Sequence, residues 1–204
     1  MFITFEGGEG SGKTTLINNL ELFFKNEGID FITTREPGGF NNDIAEQIRN
    51  VILDKKNTLM TARTEALLYA ASRTQHLEQT IIPSLQAGKL VFCDRYIDSS
   101  FVYQGYARAL GIEYIQQINN FALDYMPDLT FYIDVSTDVG QARIKNRHEK
   151  NRLDVETKKF HDNVRTGYLN LKKVFPNRIK IIDGQRNSQI IFNEILEIIL
   201  THLK

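Results

Sequence analysis

The chain has 204 residues, with 25 Lys+Arg against 25 Asp+Glu, 42% hydrophobic residues and a single cysteine, Cys93. That length suits one α/β domain with a sizeable core, and the balanced charge excludes both an overall basic field for nucleic acid and an acidic disordered tail. One cysteine excludes an intramolecular disulfide and fits a reducing compartment, so a cytoplasmic protein is expected.

Directly behind Met1 stands FITFE (2–6), a strand-like run that leaves no room for a charged leader, so no N-terminal targeting is expected. It breaks into Gly7-Gly8-Glu9-Gly10-Ser11-Gly12-Lys13-Thr14, with Thr15 behind, which fits G-x-x-x-x-G-K-[ST] in full. Glycines at this spacing let successive backbone N–H groups converge on phosphate oxygens, helped by the positive end of the following helix. Lys13 is placed to reach the β- and γ-phosphates of ATP, and the Thr14 hydroxyl to hold Mg²⁺. The plain alternative is a Gly-rich turn with an exposed lysine. The flanks speak against it, because the next segment carries Leu16, Ile17, Leu20, Phe23 and Phe24 on one helical stripe and stops at Gly28.

Further strands are expected at DFITTR (30–35), KLVFCD (89–94), LTFYIDV (129–135) and RIKIID (178–183). Between them lie a helix holding Arg49 and a long helical stretch from Thr61 to Ala87, ended by Gly88, in which Pro83 marks a kink or restart. Helices also fit 112–124, 138–147, 157–174 and 188–202. The apolar IIFNEILEIIL (190–200) is interrupted by Asn193, Glu194 and Glu197 and is too short to span a bilayer. Alternating strands and helices predict a parallel sheet covered by helices. Pro37-Gly38-Gly39 and the charged run KNRHEKNRLD (145–154) read as loops.

A phosphate loop alone does not separate GTPase, ATPase and kinase. The guanine-reading tetrapeptide N-K-x-D is absent, and Asp94 is followed by Arg95 where a hydrolytic motor usually has a glutamate to polarise water. An arginine cannot act as that base, whereas Asp94 at a strand's carboxyl end is placed to hold magnesium's water shell. Arg35 and Arg95 end the second and third strands, where ligands of an open parallel sheet bind. Two guanidinium groups there can clamp one monophosphate, with Arg49 as a third. Tyr69 and Arg73, four residues apart, share a helical face and can stack a base and donate to its edge. A core tyrosine beside a salt bridge is the competing reading of that pair.

REPGG (35–39), AASR (70–73), DRYIDSS (94–100) and YQGYAR (103–108), in this order behind the loop, resemble bacterial thymidylate kinases. The resemblance implies a P-loop NTPase fold in one domain over 1–204, a lid near 143–156, and transfer of the ATP γ-phosphoryl to dTMP with Mg²⁺. It assigns Arg35, Arg49 and Arg95 to the acceptor's 5′-phosphate, with Glu36 orienting Arg35 and Pro37 beside them. Glu9 matches an acid near the deoxyribose 3′-hydroxyl and the magnesium shell. Arg73, Ser100 and Gln104 match positions on the base's polar edge, and Tyr103 a tyrosine beneath the sugar. Tyr69 stands where the family usually has phenylalanine.

Lys13, Asp94, Arg95 and Glu9 are the expected catalytic residues outside the lid. The loop's variable positions hold no arginine, so the remaining cation should come from Arg143, Arg147 or Arg152, of which Arg147 and Arg152 are the first candidates. FNNDIAEQIR (40–49) is about two residues longer than the family's usual loop, which bears on Arg49. A homodimer is implied by the resemblance only; neither nucleic acid nor membrane is an expected partner. Two alternatives stand beside this reading: a kinase for another nucleoside monophosphate, and an ATP-binding regulatory module without transfer.

Overall fold

The computed structural model describes residues 1–145 and 151–203. Five parallel strands form one sheet: β1 (Phe2–Glu6), β2 (Phe31–Arg35), β3 (Leu90–Asp94), β4 (Leu129–Asp134) and β5 (Ile179–Asp183), in the order β2-β3-β1-β4-β5. All five were legible as short β-branched and aromatic runs, and their bounds shift by one residue at most.

Alternation along each strand divides the core between two faces of the sheet. Ile3 and Phe5 of β1, Phe92 of β3 and Phe131 of β4 face α1 (Lys13–Asn26) and α10 (Ser188–His202), meeting Leu20, Phe24, Ile195 and Ile199. On this side Phe5 stacks on Phe131 at 5.8 Å, and Phe24 packs on Phe92 at 5.3 Å. Phe2, Val91, Cys93 and Tyr132 point the other way, into a core shared with Ile52, Leu77, Ile97 and Leu171. The same alternation sends Thr4 and Glu6 of β1 to that second face, where both are fully buried.

The second face carries α2 (Asp43–Leu53), α3 (Ala62–His76), α4 (Ile82–Gln86), α5 (Ile97–Ser100), α6 (Ile112–Ile118), α7 (Asn120–Leu123) and α9 (Lys158–Val174), while α8 (Thr137–Ile144) runs into the segment expected as a lid. The long 61–87 stretch is three pieces: α3, a π-turn over Leu77–Ile81, and α4, which restarts with Pro83 in its first turn, where a missing N–H costs nothing. The 112–124 helix is likewise broken at Asn119. Residues 97–107, unassigned from sequence, are helical too, with a π-turn over Phe101–Ala107 that buries Tyr103, Gln104 and Gly105. Glycine and aromatic residues in that stretch hide the helical period. The helix expected over 138–147 closes at Ile144, and Asn146 and Arg147 lie outside the described residues.

Candidate active site

The helix that follows the glycines is built to receive an anion. Gly12 stands at its N-cap at φ 96°, with no side chain to cap the free N–H groups, and its first turn holds no acid. The start of α2 differs: Asn42 accepts from the Ala45 N–H and acids fill its first turn. Gly10, at φ 70°, presses on α8 so closely that a Cβ would lie 2.3 Å from the Gly140 carbonyl oxygen. Lys13 is folded inward, its ammonium donating to the Gly7 carbonyl at 3.1 Å, the Gly8 carbonyl at 3.3 Å and the Ser11 hydroxyl at 3.2 Å. Burial, then the neighbouring Arg95, presses its pKa down against the pull of Asp94, Glu9 and Glu6.

Above this loop opens a cleft of about 640 Å³. Glu9, Gly10, Ser11, Gly12, Lys13, Thr14 and Thr15 line one end, and Arg35, Glu36, Pro37, Arg49, Tyr69, Arg73, Tyr103 and Gln104 the other, with Asp94 and Arg95 between. Gly7 and Gly8 do not line it; they serve through the carbonyls that hold Lys13.

Arg95 sits at the join. Its backbone is left-handed at φ 69°, a conformation that costs a non-glycine residue about 1–2 kcal/mol. The turn is pinned by its own N–H on the Phe5 carbonyl at 2.9 Å and by the Tyr96 N–H on the Glu6 carboxylate at 2.8 Å. Its guanidinium donates to Glu9 at 2.6 Å and to Ser99 at 3.4 Å, and lies 5.3 Å over the Tyr103 ring. Glu6 also accepts from the Ser99 and Tyr168 hydroxyls at 2.6 and 2.7 Å, and burial followed by Asp98 raises its pKa to about 7. Burial pushes the Tyr103 phenol up to about 12 against the pull of the neighbouring Arg95.

Arg49 donates to the Pro37 carbonyl at 2.6 Å, so the longer 40–49 segment still delivers it to the cleft. Arg35 donates to the same carbonyl at 3.3 Å. Burial and the Arg35 guanidinium together press down the Arg49 pKa, a like-charge strain that an anion between them would relieve.

Deeper in, Arg73 is almost fully buried. Its Nε donates to Glu36 at 2.8 Å, Nη1 to Asn119 at 2.6 Å, and Nη2 to Ser100 at 3.0 Å and the Tyr96 carbonyl at 3.3 Å. One Nη1–H of the five guanidinium donors is left uncommitted among the described residues. Gln104 donates through Nε2 to Glu65 at 2.8 Å, while its buried Oε1 has no partner among the described residues.

A family model described as Thymidylate kinase matches residues 5–195. The chain belongs to the thymidylate kinase family. Similar members include the thymidylate kinase of Acholeplasma laidlawii (strain PG-8A), 54% identical over 205 aligned residues and all of both chains. That of Clostridium novyi (strain NT) is 54% identical over 197, covering 95% of each chain. The crystal structure of thymidylate kinase from Ehrlichia chaffeensis superposes with a TM-score of 0.77 at 34% identity, covering 98% of both chains.

Within this thymidylate kinase fold, three sequence assignments change. Glu36 does not orient Arg35: the cleft loop turns its carboxylate inward to Arg73 and to His76 at 3.3 Å, and Arg35 pairs with Glu46 at 3.1 Å instead. Ser100 meets the cleft only through Arg73, while its neighbour Ser99 lines it. Arg152, expected over the phosphates, does not line the cleft; its guanidinium donates to the Ile52 carbonyl at 2.9 Å and to Glu65 at 2.5 Å. Among the described residues, Arg143 is the candidate lid arginine that reaches the loop, donating to the Gly10 carbonyl at 3.1 Å and the Gly184 carbonyl at 3.3 Å. Arg147 lies outside the described residues. Glu6, Glu65, Ser99 and Asn119 were not foreseen. For Glu65 a signal existed, since 65, 69 and 73 continue the four-residue spacing that paired Tyr69 with Arg73.

Proposed function

We propose that the chain phosphorylates dTMP to dTDP with ATP, the loop of residues 7–15 holding the donor's phosphates and the arginine-lined end the acceptor. The observation that carries this reading is the single cleft: an uncapped helix N-terminus at one end, and at the other Arg35 and Arg49 beside the Arg73 and Gln104 pair. The attacking group is a phosphate oxygen, already largely deprotonated at neutral pH, so no general base is needed. A strand end carrying Arg95 rather than a glutamate fits that chemistry. Arg35, Arg49 and Arg95 hold the acceptor phosphate in line, and Lys13 exchanges loop carbonyls for donor phosphate oxygens as they arrive. Arg143 adds positive charge on the lid side, and Arg73, with one donor left, suits the single O4 acceptor of thymine.

The residues present fit Mg²⁺. Asp94 Oδ1 is buried without a partner among the described residues, and Thr14 lines the same cleft. No cluster of three or more His, Cys, Asp or Glu suited to a metal occurs among the described residues, so such an ion would draw on phosphate and water oxygens. Bound there, it would neutralise charge on the transferred phosphoryl group.

For the remaining partners, Ile44, Val51 and Leu67 expose apolar surface on the α2 and α3 helices, which supports a homodimer, testable by sedimentation equilibrium. No helix among the described residues is long and apolar enough to cross a membrane; a cytoplasmic location is part of this proposal.

The test is a coupled assay of ADP release with ATP, Mg²⁺ and dTMP beside a control lacking dTMP. Release that depends on dTMP, with dTDP as product, is the expected result. Release without dTMP would mark a hydrolase, and equal or faster turnover of dGMP, UMP or CMP would move the acceptor.

A further inference from the structure

We propose that Glu65 is a specificity-positioning residue, which locks the Gln104 amide so that only its oxygen faces the base. The inference rests on the proposed placement of a pyrimidine against Arg73 and Gln104.

A glutamine amide carries a donor end and an acceptor end of nearly equal shape, so nothing in Gln104 itself decides which end meets the ligand. Glu65 decides it. An ionised carboxylate only accepts hydrogen bonds, so it must meet Nε2, as it does at 2.8 Å. The other end, Oε1, is left buried, unpartnered among the described residues, in a side chain that lines the cleft. A buried acceptor without a partner is costly, and the cost is relieved by a ligand N–H.

The carboxylate is held ionised by what surrounds it. Arg152 donates to it at 2.5 Å, and Arg108 at 3.2 and 3.3 Å, with Arg108 itself anchored by Glu156 and packed 4.5 Å over Phe160. Burial works to raise the Glu65 pKa, but the Gln104 hydrogen bond and the two arginines outweigh it and the net shift is downward. Were Glu65 neutral, its hydroxyl could donate to Oε1 and the amide would turn its N–H₂ to the cleft. That orientation would suit cytosine, whose N3 is an acceptor, rather than thymine, whose N3 carries hydrogen. The ionised state therefore selects bases with N3–H, independently of how Arg73 reads the neighbouring O4.

The probe is 5-methyl-dCMP, which keeps the methyl group, sugar and phosphate of dTMP and reverses only the N3 and C4 edge. The measurement is kcat/KM for both compounds with wild type, Glu65→Gln and Glu65→Asp, alongside thermal melting. Glu65→Gln can pair with either end of Gln104. Glu65→Asp keeps a charge between Arg108 and Arg152 but is too short to hold the amide, and it is the variant to read should Glu65→Gln not fold. The expected result is a dTMP preference reduced about ten-fold or more in each folded variant, with 5-methyl-dCMP turnover rising in absolute terms. Structural damage alone would lower both substrates together and leave their ratio unchanged, and that outcome overturns the proposal. A wild-type enzyme that treats the two compounds alike would remove the base-edge placement first, and this inference with it.

Discussion

The two ends of the cleft are made in different ways. The end proposed for the donor is one contiguous loop, residues 7–15, working through backbone carbonyls, N–H groups and Lys13. The end proposed for the acceptor is a buried polar network from distant segments: Glu36 to Arg73 to Asn119, and Gln104 to Glu65 to Arg108 and Arg152. A loop held by its own backbone can lose a side chain and keep its shape. A network of buried charges cannot, because each partner removed leaves another desolvated and unpaired. Catalysis and stability are therefore separable at the donor end and entangled at the acceptor end.

The largest expected effect tests the first half of that contrast. Lys13→Ala should lower kcat on the order of 10²–10³-fold. Its ammonium is buried against a pKa pushed downward, so the desolvation cost relieved by its removal offsets the donor lost by Gly7, Gly8 and Ser11, and Tm should stay within about 3 °C of wild type. Steady-state kinetics with thermal melting check both, and a large fall in Tm would break the contrast. Next comes Glu36→Ala, which strips the partner from an arginine only 1% exposed. Stability should fall by about 3–5 kcal/mol in denaturant titration, and KM for dTMP should rise by about ten-fold or more. A variant with altered KM and unchanged stability would show that the acceptor network is less entangled than its burial implies.

The same difference explains what could be read from the chain. The donor loop was legible because its parts are adjacent and its physics is local: glycines, a lysine and the start of a helix. The sheet was legible for a similar reason, since each strand is a short run of β-branched and aromatic residues. At the acceptor end the sequence located Arg35, Arg73 and Gln104 but not their partners. Glu36 was paired with the adjacent Arg35, whereas its hydrogen bonds run to Arg73 and His76, 37 and 40 residues away. Partners at that separation carry no signature in spacing. Glu6 was hidden because an acid at the end of an apolar strand reads as the start of a loop, when strand alternation in fact buries it.

Arg143 and Arg152, equivalent by composition as candidate lid arginines, fall on opposite sides of the comparison. Arg143→Ala should lower kcat or raise KM for ATP by about ten-fold with little change in melting, since the side chain is exposed and, among the described residues, bonds only to the Gly10 and Gly184 carbonyls. Arg152→Ala should instead destabilise the protein by about 1–3 kcal/mol, because Glu65 loses one of two cations and the Ile52 carbonyl loses a donor. Kinetics and melting of the two variants, run together, sharpen the boundary. A kcat loss in Arg152→Ala larger than in Arg143→Ala, at unchanged stability, would place Arg152 over the phosphates after all.

Glu6 joins the two ends, and its effect is the smallest and most specific in form. It follows the chain into the phosphate loop and at the same time clamps the left-handed turn of Arg95 through Tyr96 N–H and Ser99. Burial, then Asp98, lifts its pKa from 4.5 to about 7, while Arg95 and the Ser99 and Tyr168 hydroxyls pull the other way. Between those two values the native protein keeps a proton that the unfolded chain has released, so this group's stabilising contribution is present below pH 4.5 and is lost as pH rises through about 7. Glu6→Gln, which cannot ionise, should flatten that component: the difference in Tm between the variant and wild type should grow in the variant's favour by a few degrees from pH 5.5 to pH 8. Meanwhile the three donors that Glu6 satisfies must be shared with an amide that offers one acceptor, so Arg95 loses part of its aim and KM for dTMP should rise by roughly two- to five-fold at every pH. A Tm difference independent of pH would mean that Glu6 is ionised throughout, held by Arg95 and its hydroxyl donors more firmly than burial and Asp98 oppose it.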